Sequence, residues 1–262
     1  MVKFYMAQVA SFVAIGPAIY SLINEYGLLT YYDERTYVDE MCNNYEHVMV
    51  DSGAFSMATR NVKIDIDEYV NFLSVHGHKF DAYANLDVIG NADETLKNQR
   101  YLESKGLSPL PVFHQGEDLK YLDDYVKSYD YIGLGGMVGG KSGNRWLDDI
   151  FTKYPDHKFH GFGIGSLNII ERYPFYSVDS TSWLRDSGMG MLNFKSLSSC
   201  HYNELTDLHK SIVNEMGFSE SLLKTKHLTR HLFNLLLFRS KLSGYNKKYE
   251  QLHYNDITEE FI

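Results

Sequence analysis

Short apolar segments that end in Gly, Asp, Asn or Ser alternate along this chain with segments of helical spacing. One stripe, Ile66, Tyr69, Val70 and Leu73, follows the i, i+3, i+4, i+7 pattern of an amphipathic helix. Strands that alternate with helices indicate βαβ units and a parallel sheet. About eight such units predict an α/β fold, a TIM-like (β/α)8 barrel. The predicted strands are 3–9, 47–51, 81–86, 110–113, 131–134, 158–163, 176–179 and 191–194.

The two ends of the chain depart from this alternation. Residues 20–44 form a long, aromatic-rich stretch, so we expect an irregular N-terminal unit. After Phe194, two helical patterns at 203–216 and 221–242 follow each other with no strand pattern between them. We therefore predict a barrel domain over 1–195 that carries the candidate site. A C-terminal helical segment, 196–262, is expected to pack on it.

Composition narrows the class of protein. The 262 residues are 44% hydrophobic, which suffices for the core of one large α/β domain. A net charge of −9 argues against tight, non-specific binding to a polyanion. The only cysteines, Cys42 and Cys200, predict no disulfide framework and a reducing cytoplasm. The chain has no apolar run of about 18 residues, so we expect no membrane-spanning segment.

Two aspartates, Asp51 and Asp179, each stand at the end of a predicted strand. In parallel α/β proteins the carboxyl ends of strands carry the chemistry. Two carboxylates that converge there can break a glycosidic bond, one as nucleophile and one as acid and base. Each aspartate taken alone is more typical of a turn or a helix cap, and it is the pair, with the residues between them, that indicates chemistry.

Further strand ends between these aspartates present polar groups, or glycines that let a ligand approach the backbone. Arranged in a ring, they would form a pocket for a flat polar molecule. In chain order the strand ends are Asp51-Ser52-Gly53-Ala54-Phe55, Ala84-Asn85-Leu86-Asp87, Phe113-His114-Gln115-Gly116, Gly135-Gly136-Met137-Val138-Gly139, Gly161-Phe162-Gly163 and Val178-Asp179.

This ordered series resembles the tRNA-guanine transglycosylase family, and most of all its short phage and bacterial branch, which inserts 7-deazaguanines into DNA. That family carries Asp-Ser-Gly-Gly-Phe/Tyr, a later Asp, Val-Gln-Gly, Gly-Gly-Leu/Met-x-Val-Gly, Gly-x-Gly and a terminal Asp on successive barrel strands. The same order runs here over residues 51–179. Ala54 replaces the second glycine, and the zinc signature Cys-x-Cys-x-x-Cys with a later His is missing.

The resemblance implies a role for each matched residue. Asp179 would attack C1′ of the target nucleoside and form a covalent glycosyl–aspartate, and Asp51 would be general acid and base. Asp87, Gln115 and the backbone around Gly135 and Gly136 would recognise the base. The remaining base-binding positions would be Ser52 in the first motif and Phe55 and Phe162, which would sandwich the base.

The resemblance also implies partners and cofactors. The polymer would be DNA by preference, with tRNA as the alternative, and a free 7-deazaguanine base would be the co-substrate. No redox cofactor or ATP is implied, and we expect no added RNA-binding domain and no zinc. The candidates for a remnant metal site are Cys200, His201, His227 and His231, although one thiol and three histidines would be an unusual structural set, and we interpret the histidines as surface and helix-packing residues. The expected compartment is the cytoplasm, that of the host if the chain is phage-encoded.

Three other interpretations stay open. Residues 135–142 fit the phosphate-loop pattern G-x-x-x-x-G-K-[ST], in which Lys141 and Ser142 would hold a nucleotide. However, Gly143 and Asn144 follow where its helix should already run, and Lys141 could instead contact a substrate phosphate. A barrel that binds nucleic acid without catalysis is the second alternative. A retaining glycosidase is the third, although such an enzyme favours Trp platforms and the chain has only two Trp residues.

Overall fold

A computed structural model describes residues 2–7, 25–137, 144–194, 197–225 and 227–241, with the side chains of 167, 183, 227 and 237–241 left out. Contacts within the chain divide these residues into two compact units, the first ending at Ser180 and the second beginning at Thr181. The sequence predicts a boundary at 195/196 and packing of the C-terminal segment on the barrel, and both stay predictions. Within the described residues, no helix combines the length and apolarity that crossing a membrane requires.

The first unit contains eight strands, all paired in parallel in the order β4-β3-β2-β1-β8-β7-β6-β5. A parallel bridge between Ala84 and Leu110 joins the two ends of this order. There the Leu110 N–H donates to the Tyr83 carbonyl at 2.8 Å, and the Asn85 N–H donates to the Leu110 carbonyl at 2.9 Å. The sheet therefore closes into the predicted barrel. Its strands are β1 (Lys3–Ala7), β2 (Tyr26–Thr30), β3 (His47–Asp51), β4 (Ala82–Tyr83), β5 (Val112–His114), β6 (Tyr131–Gly135), β7 (Lys158–Gly161) and β8 (Ser177–Ser180).

From β2 onward, helices connect successive strands, as the alternation in the sequence predicts. Several begin at a side-chain cap: Asp65, Asn91 and Asp118 accept backbone N–H groups two or three residues ahead. The helices of this unit are α1 (Tyr31–Glu34), α2 (Val38–Asn44), α3 (Ala54–Arg60), α4 (Ile66–His76), α5 (Ala92–Ser104), α6 (Leu119–Ser128), α7 (Arg145–Lys153) and α8 (Leu167–Arg172), with 3-10 turns at Arg35–Tyr37 and Gly77–Lys79.

Side chains from strands all around the sheet fill the barrel interior. The buried members are Tyr5, Ala7, Leu28, Met49 and Leu110, and Tyr26, Ala82, Tyr131 and Phe162 pack against them. Large rings are accommodated because a neighbouring strand carries glycine at the same level. A Cβ on Gly133, for example, would lie 2.4 Å from Cε2 of Phe162. The barrel is thus a packed core with its ligand-accessible surface at the strand ends.

Two strand assignments from the sequence are wrong. β2 lies inside the stretch expected to be irregular. It was not predicted as a strand because it contains Gly27, and glycine is a poor strand former. A Cβ at Gly27 would lie 2.8 Å from side-chain atoms of both Met41 and Tyr45. The expected last strand, 191–194, is instead a two-residue strand that pairs antiparallel outside the barrel. Asp51 therefore ends the third strand, not the second.

The second unit has its own core. Its hairpin joins β9 (Met191–Leu192) to β10 (Cys200–His201). Asn234, in the helix His227–Lys241, links that helix to the hairpin. Its amide oxygen accepts the Asn193 N–H and its amide nitrogen donates to the Met191 carbonyl, both at 2.9 Å. Buried apolar residues of this unit include Leu192, Phe194, Val213, Phe218, Leu223 and Phe233. Its helices are α9 (Ser182–Gly188), α10 (Asp207–Glu215), α11 (Glu220–Thr225) and α12 (His227–Lys241).

Candidate active site

Asp51 ends β3, directly before a tight turn into α3. Gly53 makes this turn with a φ of 87°, a conformation that favours glycine. A side chain there would also collide, because its Cβ would lie 2.6 Å from the Cβ of Tyr32. The turn directs the backbone N–H groups of Gly53 and Ser52 to the Asp51 carboxyl group, which accepts both. The strand–turn–helix geometry therefore fixes Asp51 at the mouth of the barrel.

The surroundings of Asp51 keep its proton bound. Burial raises the pKa of Asp51, the negative charges of Asp87 and Asp179 raise it further, and the two N–H groups only partly oppose them. The resulting pKa is about 8. Near neutral pH, Asp51 is therefore an uncharged acid that can donate a proton to a leaving group and then act as a base.

Asp87, which follows β4, is held by donors on both carboxylate oxygens. Ser52 Oγ donates to Oδ1 at 3.0 Å, and His114 Nε2 lies 2.8 Å from Oδ2. His114 ends β5, and its Nδ1 lies 3.1 Å from Oε1 of Glu117. Burial alone lowers the pKa of His114, but hydrogen bonds to Asp87 and Glu117 and their charges raise it to about 9. His114 is therefore a cation between two carboxylates near neutral pH.

Asp179, on β8, is anchored through one oxygen. Its Oδ1 accepts the Gly163 N–H at 3.0 Å and lies 3.2 Å from His160 Nε2. Behind it, His160 Nδ1 lies 2.5 Å from Ser177 Oγ, which lies 2.5 Å from the hydroxyl of Tyr131. Asp179 is 7% exposed, whereas His160 and Ser177 are fully buried. A small exposed fraction leaves the carboxylate within reach of a bound molecule.

The structure brings several sequence-predicted residues into one neighbourhood. Asp51 interacts electrostatically with both Asp87 and Asp179, and the Ser52 hydroxyl donates a hydrogen bond to Asp87. Their predicted roles in catalysis and base binding stay predictions.

The glycine-rich end of β6 lies beside β5. A Cβ on Gly135 would lie 2.8 Å from Cδ2 of His114, and one on Gly136 would lie 3.2 Å from the Gln115 nitrogen. The Gln115 N–H donates to the Gly135 carbonyl at 3.0 Å. The two glycines are thus packed closely against β5, with too little space for a side chain, next to the residue predicted to read the base.

Phe162 and Phe55 have different surroundings. Phe162 packs on Gly133 inside the barrel, and its ring meets His160 edge-on with 4.4 Å between centroids. Phe55 is 59% exposed in the first turn of α3. The predicted sandwich of a base between these rings stays a prediction. Lys141 and Ser142, the ends of the phosphate-loop pattern, lie outside the described residues.

A cavity of about 200 Å³ opens where β5, β6 and β7 end. Gln115 and Gly163 line it together with Trp146, Ile164 and Ser166. It thus adjoins both the predicted base-reading residue and the backbone amide that anchors Asp179.

The possible metal ligands belong to the second unit. His201 packs on Gly190, where a Cβ would lie 2.5 Å from its Nε2, and Cys200 is half-buried. The side chain of His227 lies outside the description, and His231 is buried. In the part of the chain that is described, no group of three or more His, Cys, Asp or Glu side chains is arranged to hold a metal ion. The expected absence of zinc stays a prediction.

Sequence reasoning missed the residues that hold the aspartates. Those residues are His114, Glu117, Tyr131, His160 and Ser177. For His160 and Ser177 the available signal was a polar side chain within an otherwise apolar predicted strand, which a packed barrel interior disfavours unless it is hydrogen-bonded.

No protein-family model and no curated protein matches this chain. Among solved structures, it is similar to N-acetylneuraminate lyase from Mycoplasma synoviae, with 12% identity over 69% of each chain and a TM-score of 0.47. It is also similar to the carboxyl transferase domain of Rhizobium etli pyruvate carboxylase with pyruvate. That match has 10% identity and a TM-score of 0.48, and covers 92% of this chain but only 47% of the other. Likeness at this level carries no information about activity.

Proposed function

We propose that this protein is an enzyme, a guanine transglycosylase that exchanges guanine in a nucleic acid, DNA by preference, for a free 7-deazaguanine. The observation that carries the proposal is the pairing of two unlike carboxyl groups at the strand ends of one barrel. Asp51 has a pKa of about 8, whereas Asp179 is anchored by two donors on one oxygen. Carboxyl groups with contrasting surroundings suit an acid and a nucleophile. The resemblance of the strand-end motifs supports the same assignment.

The first half-reaction removes guanine. Oδ2 of Asp179 bonds to C1′ while the bond from C1′ to the guanine nitrogen breaks and its electron pair leaves with the base. Asp51 donates its proton to the departing guanine and becomes a carboxylate. The product is a glycosyl ester of Asp179, inverted at C1′.

The second half-reaction inserts the new base. The Asp51 carboxylate takes the N9 proton of a free 7-deazaguanine, and N9 attacks C1′. The ester bond breaks, its electron pair returns to Asp179, and the second inversion restores the original configuration. One glycosidic bond replaces another, so no energy source is consumed.

Asp87 and Gln115 would select the base. The bonds from Ser52 and His114 hold the plane of the Asp87 carboxylate. Each of its oxygens keeps a lone pair that accepts the N1–H and the 2-amino group of a guanine-like base. A base without these donors would leave the carboxylate unpaired, which costs binding energy. A target guanine in a duplex has to be extruded to reach this site.

The test is base exchange with the purified protein. DNA and tRNA, each carrying labelled guanine, are incubated separately with a panel of free 7-deazaguanines, then digested and analysed by nucleoside mass. We expect a deazaguanine nucleoside in DNA. We expect Asp179→Ala to lose both exchange and the covalent adduct, and Asp51→Ala to lose exchange while keeping base binding. Asp124→Ala, which removes an exposed α6 carboxylate paired with Lys127, is the matched control and should exchange normally.

Two other results would change the assignment. Incorporation into tRNA alone would keep the chemistry and overturn DNA as the polymer. An absence of exchange into either polymer, with the aspartate variants indistinguishable from wild type, would refute the transglycosylase. The non-catalytic and phosphate-loop interpretations would then stand.

A further inference from the structure

A chain of hydrogen bonds crosses three neighbouring strands of the barrel and ends at Asp179. It runs from the Tyr131 hydroxyl on β6 through Ser177 Oγ on β8 to His160 on β7, and His160 Nε2 contacts Oδ1 of Asp179. Ser177 and His160 are fully buried. Water therefore does not compete for these bonds, and their geometry is set by the barrel itself.

The direction of the bonds follows from the donors and acceptors present. Burial raises the pKa of Tyr131 well above its ordinary range, so its hydroxyl keeps its proton. With the imidazole proton on Nε2, Tyr131 donates to Ser177, Ser177 donates to Nδ1, and Nε2–H donates to Asp179. A doubly protonated ring also donates to Asp179. A neutral ring with its proton on Nδ1 would instead place two acceptors, Nε2 and Oδ1 of Asp179, in contact without a proton between them. We therefore assign Nε2–H as the donor.

These hydrogen bonds give the two carboxylate oxygens of Asp179 different surroundings. Oδ1 receives both the Gly163 N–H and His160 Nε2, whereas Oδ2 accepts no hydrogen bond from the described residues. Two donors on one oxygen fix the plane of the carboxylate. They leave the other oxygen unencumbered for bond formation.

We propose that His160, held by Ser177 and Tyr131, is a positioning residue that anchors Oδ1 of Asp179 and presents Oδ2 as the attacking atom. This inference rests on the proposed function, in which Asp179 is the nucleophile. When Oδ2 bonds to C1′, Oδ1 becomes the carbonyl oxygen of the ester and still accepts both bonds. When the ester breaks, the same donors stabilise the carboxylate that returns.

Packing alone does not call for a histidine at this position. The ring of His160 lies among aromatic rings, 4.4 Å from Phe162, 6.1 Å from Tyr5 and 6.5 Å from Tyr131 between centroids. An apolar ring of similar shape would fill this space without burying two polar nitrogens. The polar ring is explained by what it does for Asp179.

The test compares variants of the full chain in the exchange assay. His160→Phe keeps the ring shape and removes the donor, and it should lower kcat by about a hundredfold while KM for the free base changes less than about twofold. His160→Gln, whose amide can donate near the Nε2 position, should recover part of this loss. Tyr131→Phe removes the far end of the chain and should lower kcat by about threefold to tenfold. His157→Phe, the same change near the start of β7, is the matched control and should leave kcat unchanged.

Each outcome of these experiments either supports or overturns the positioning role of His160. Normal kcat in His160→Phe, with an active wild type, would overturn the inference, and so would a loss of base binding measured by calorimetry. If His160→Phe does not fold, as judged by circular dichroism, His160→Gln and Tyr131→Phe decide: unchanged kcat in both overturns the inference. An inactive wild type refutes the proposed function itself and is thus a distinguishable result.

Discussion

At the scale of single residues, the fold sets the charge of each candidate group through its neighbours. Asp51 is uncharged near neutral pH because its carboxyl group is shielded from water and lies near the charges of Asp87 and Asp179. His114 is charged because two carboxylates flank it. Both groups bind a proton more tightly in the folded protein than in the unfolded chain. The folded state therefore loses stability as pH rises through the range where they release those protons.

Asp51→Asn tests this linkage. In the unfolded chain an aspartate has an ordinary pKa near 3.8, and in the fold it is about 8. The wild type should therefore lose stability between these pH values, and an asparagine should not. We expect equal Tm at pH 4 and, at pH 9, a Tm for the variant at least about 2 °C higher. Calorimetric melting across the pH range measures both.

The exposed Asp124→Asn serves as the control for loss of a carboxylate, and its Tm should follow the wild type at every pH. Parallel curves for Asp51→Asn and the wild type would show that the pKa of Asp51 is not raised.

At the scale of single elements, glycines inside strands mark where a neighbouring side chain packs. Gly27, Gly133 and Gly161 each lie in a barrel strand, and a Cβ on any of them would come within 3 Å of another side chain. Strand propensity disfavours these glycines, yet the neighbouring side chains leave no space for a Cβ at any of the three positions. This conflict explains why β2 escaped sequence analysis.

Gly133→Ala tests the packing at one such position. The new methyl group would lie 2.4 Å from Cε2 of Phe162, so the ring must move within a filled interior. We expect the free energy of unfolding in urea to fall by about 1–3 kcal/mol. A double variant with Phe162→Leu should recover part of the loss.

The matched control is Gly188→Ala at the end of α9, where a Cβ would meet nothing within 4 Å. It should leave stability unchanged or raise it by up to about 1 kcal/mol. A Gly133→Ala protein as stable as the wild type would show that the contact with Phe162 is looser than the structure indicates.

At the scale of the whole molecule, one part of the candidate site, the contact between Asp87 and His114, lies where the barrel closes. The bridge between Ala84 and Leu110 is the sole strand pairing that joins β4 to β5 in the described structure. Just beyond it, His114 on β5 contacts Asp87 after β4 at 2.8 Å. The ion pair therefore stabilises the seam, which is the junction of β4 and β5 at Ala84 and Leu110. It also holds a candidate base-binding carboxylate in place.

Amide hydrogen exchange tests closure at this seam. The N–H groups of Asn85 and Leu110 are bonded across it, so they should exchange far more slowly than that of exposed Lys63. His114→Gln should speed exchange at Asn85 and Leu110 and leave the amides of the β2–β3 pair unchanged. Fast exchange of the two seam amides in the wild type would indicate an open sheet.

The sequence by itself determined the repeating strand–helix pattern, and hence the barrel, because local periodicity shows which face of each element is buried. It also placed Asp51, Asp87 and Asp179 at strand ends, since a short apolar run that stops at a polar residue is a local signal. The helices at Ile66–His76 and Leu119–Ser128 were predictable for the same reason.

Only the tertiary structure decided which groups surround those aspartates. His114 meets Asp87, and His160 meets Asp179, through strands that are neighbours in the closed barrel but distant in sequence. The raised pKa of Asp51 arises first from burial and then from the charges of Asp87, which follows β4, and Asp179 on β8. Burial and Coulomb interactions depend on distances in space, which no local pattern contains.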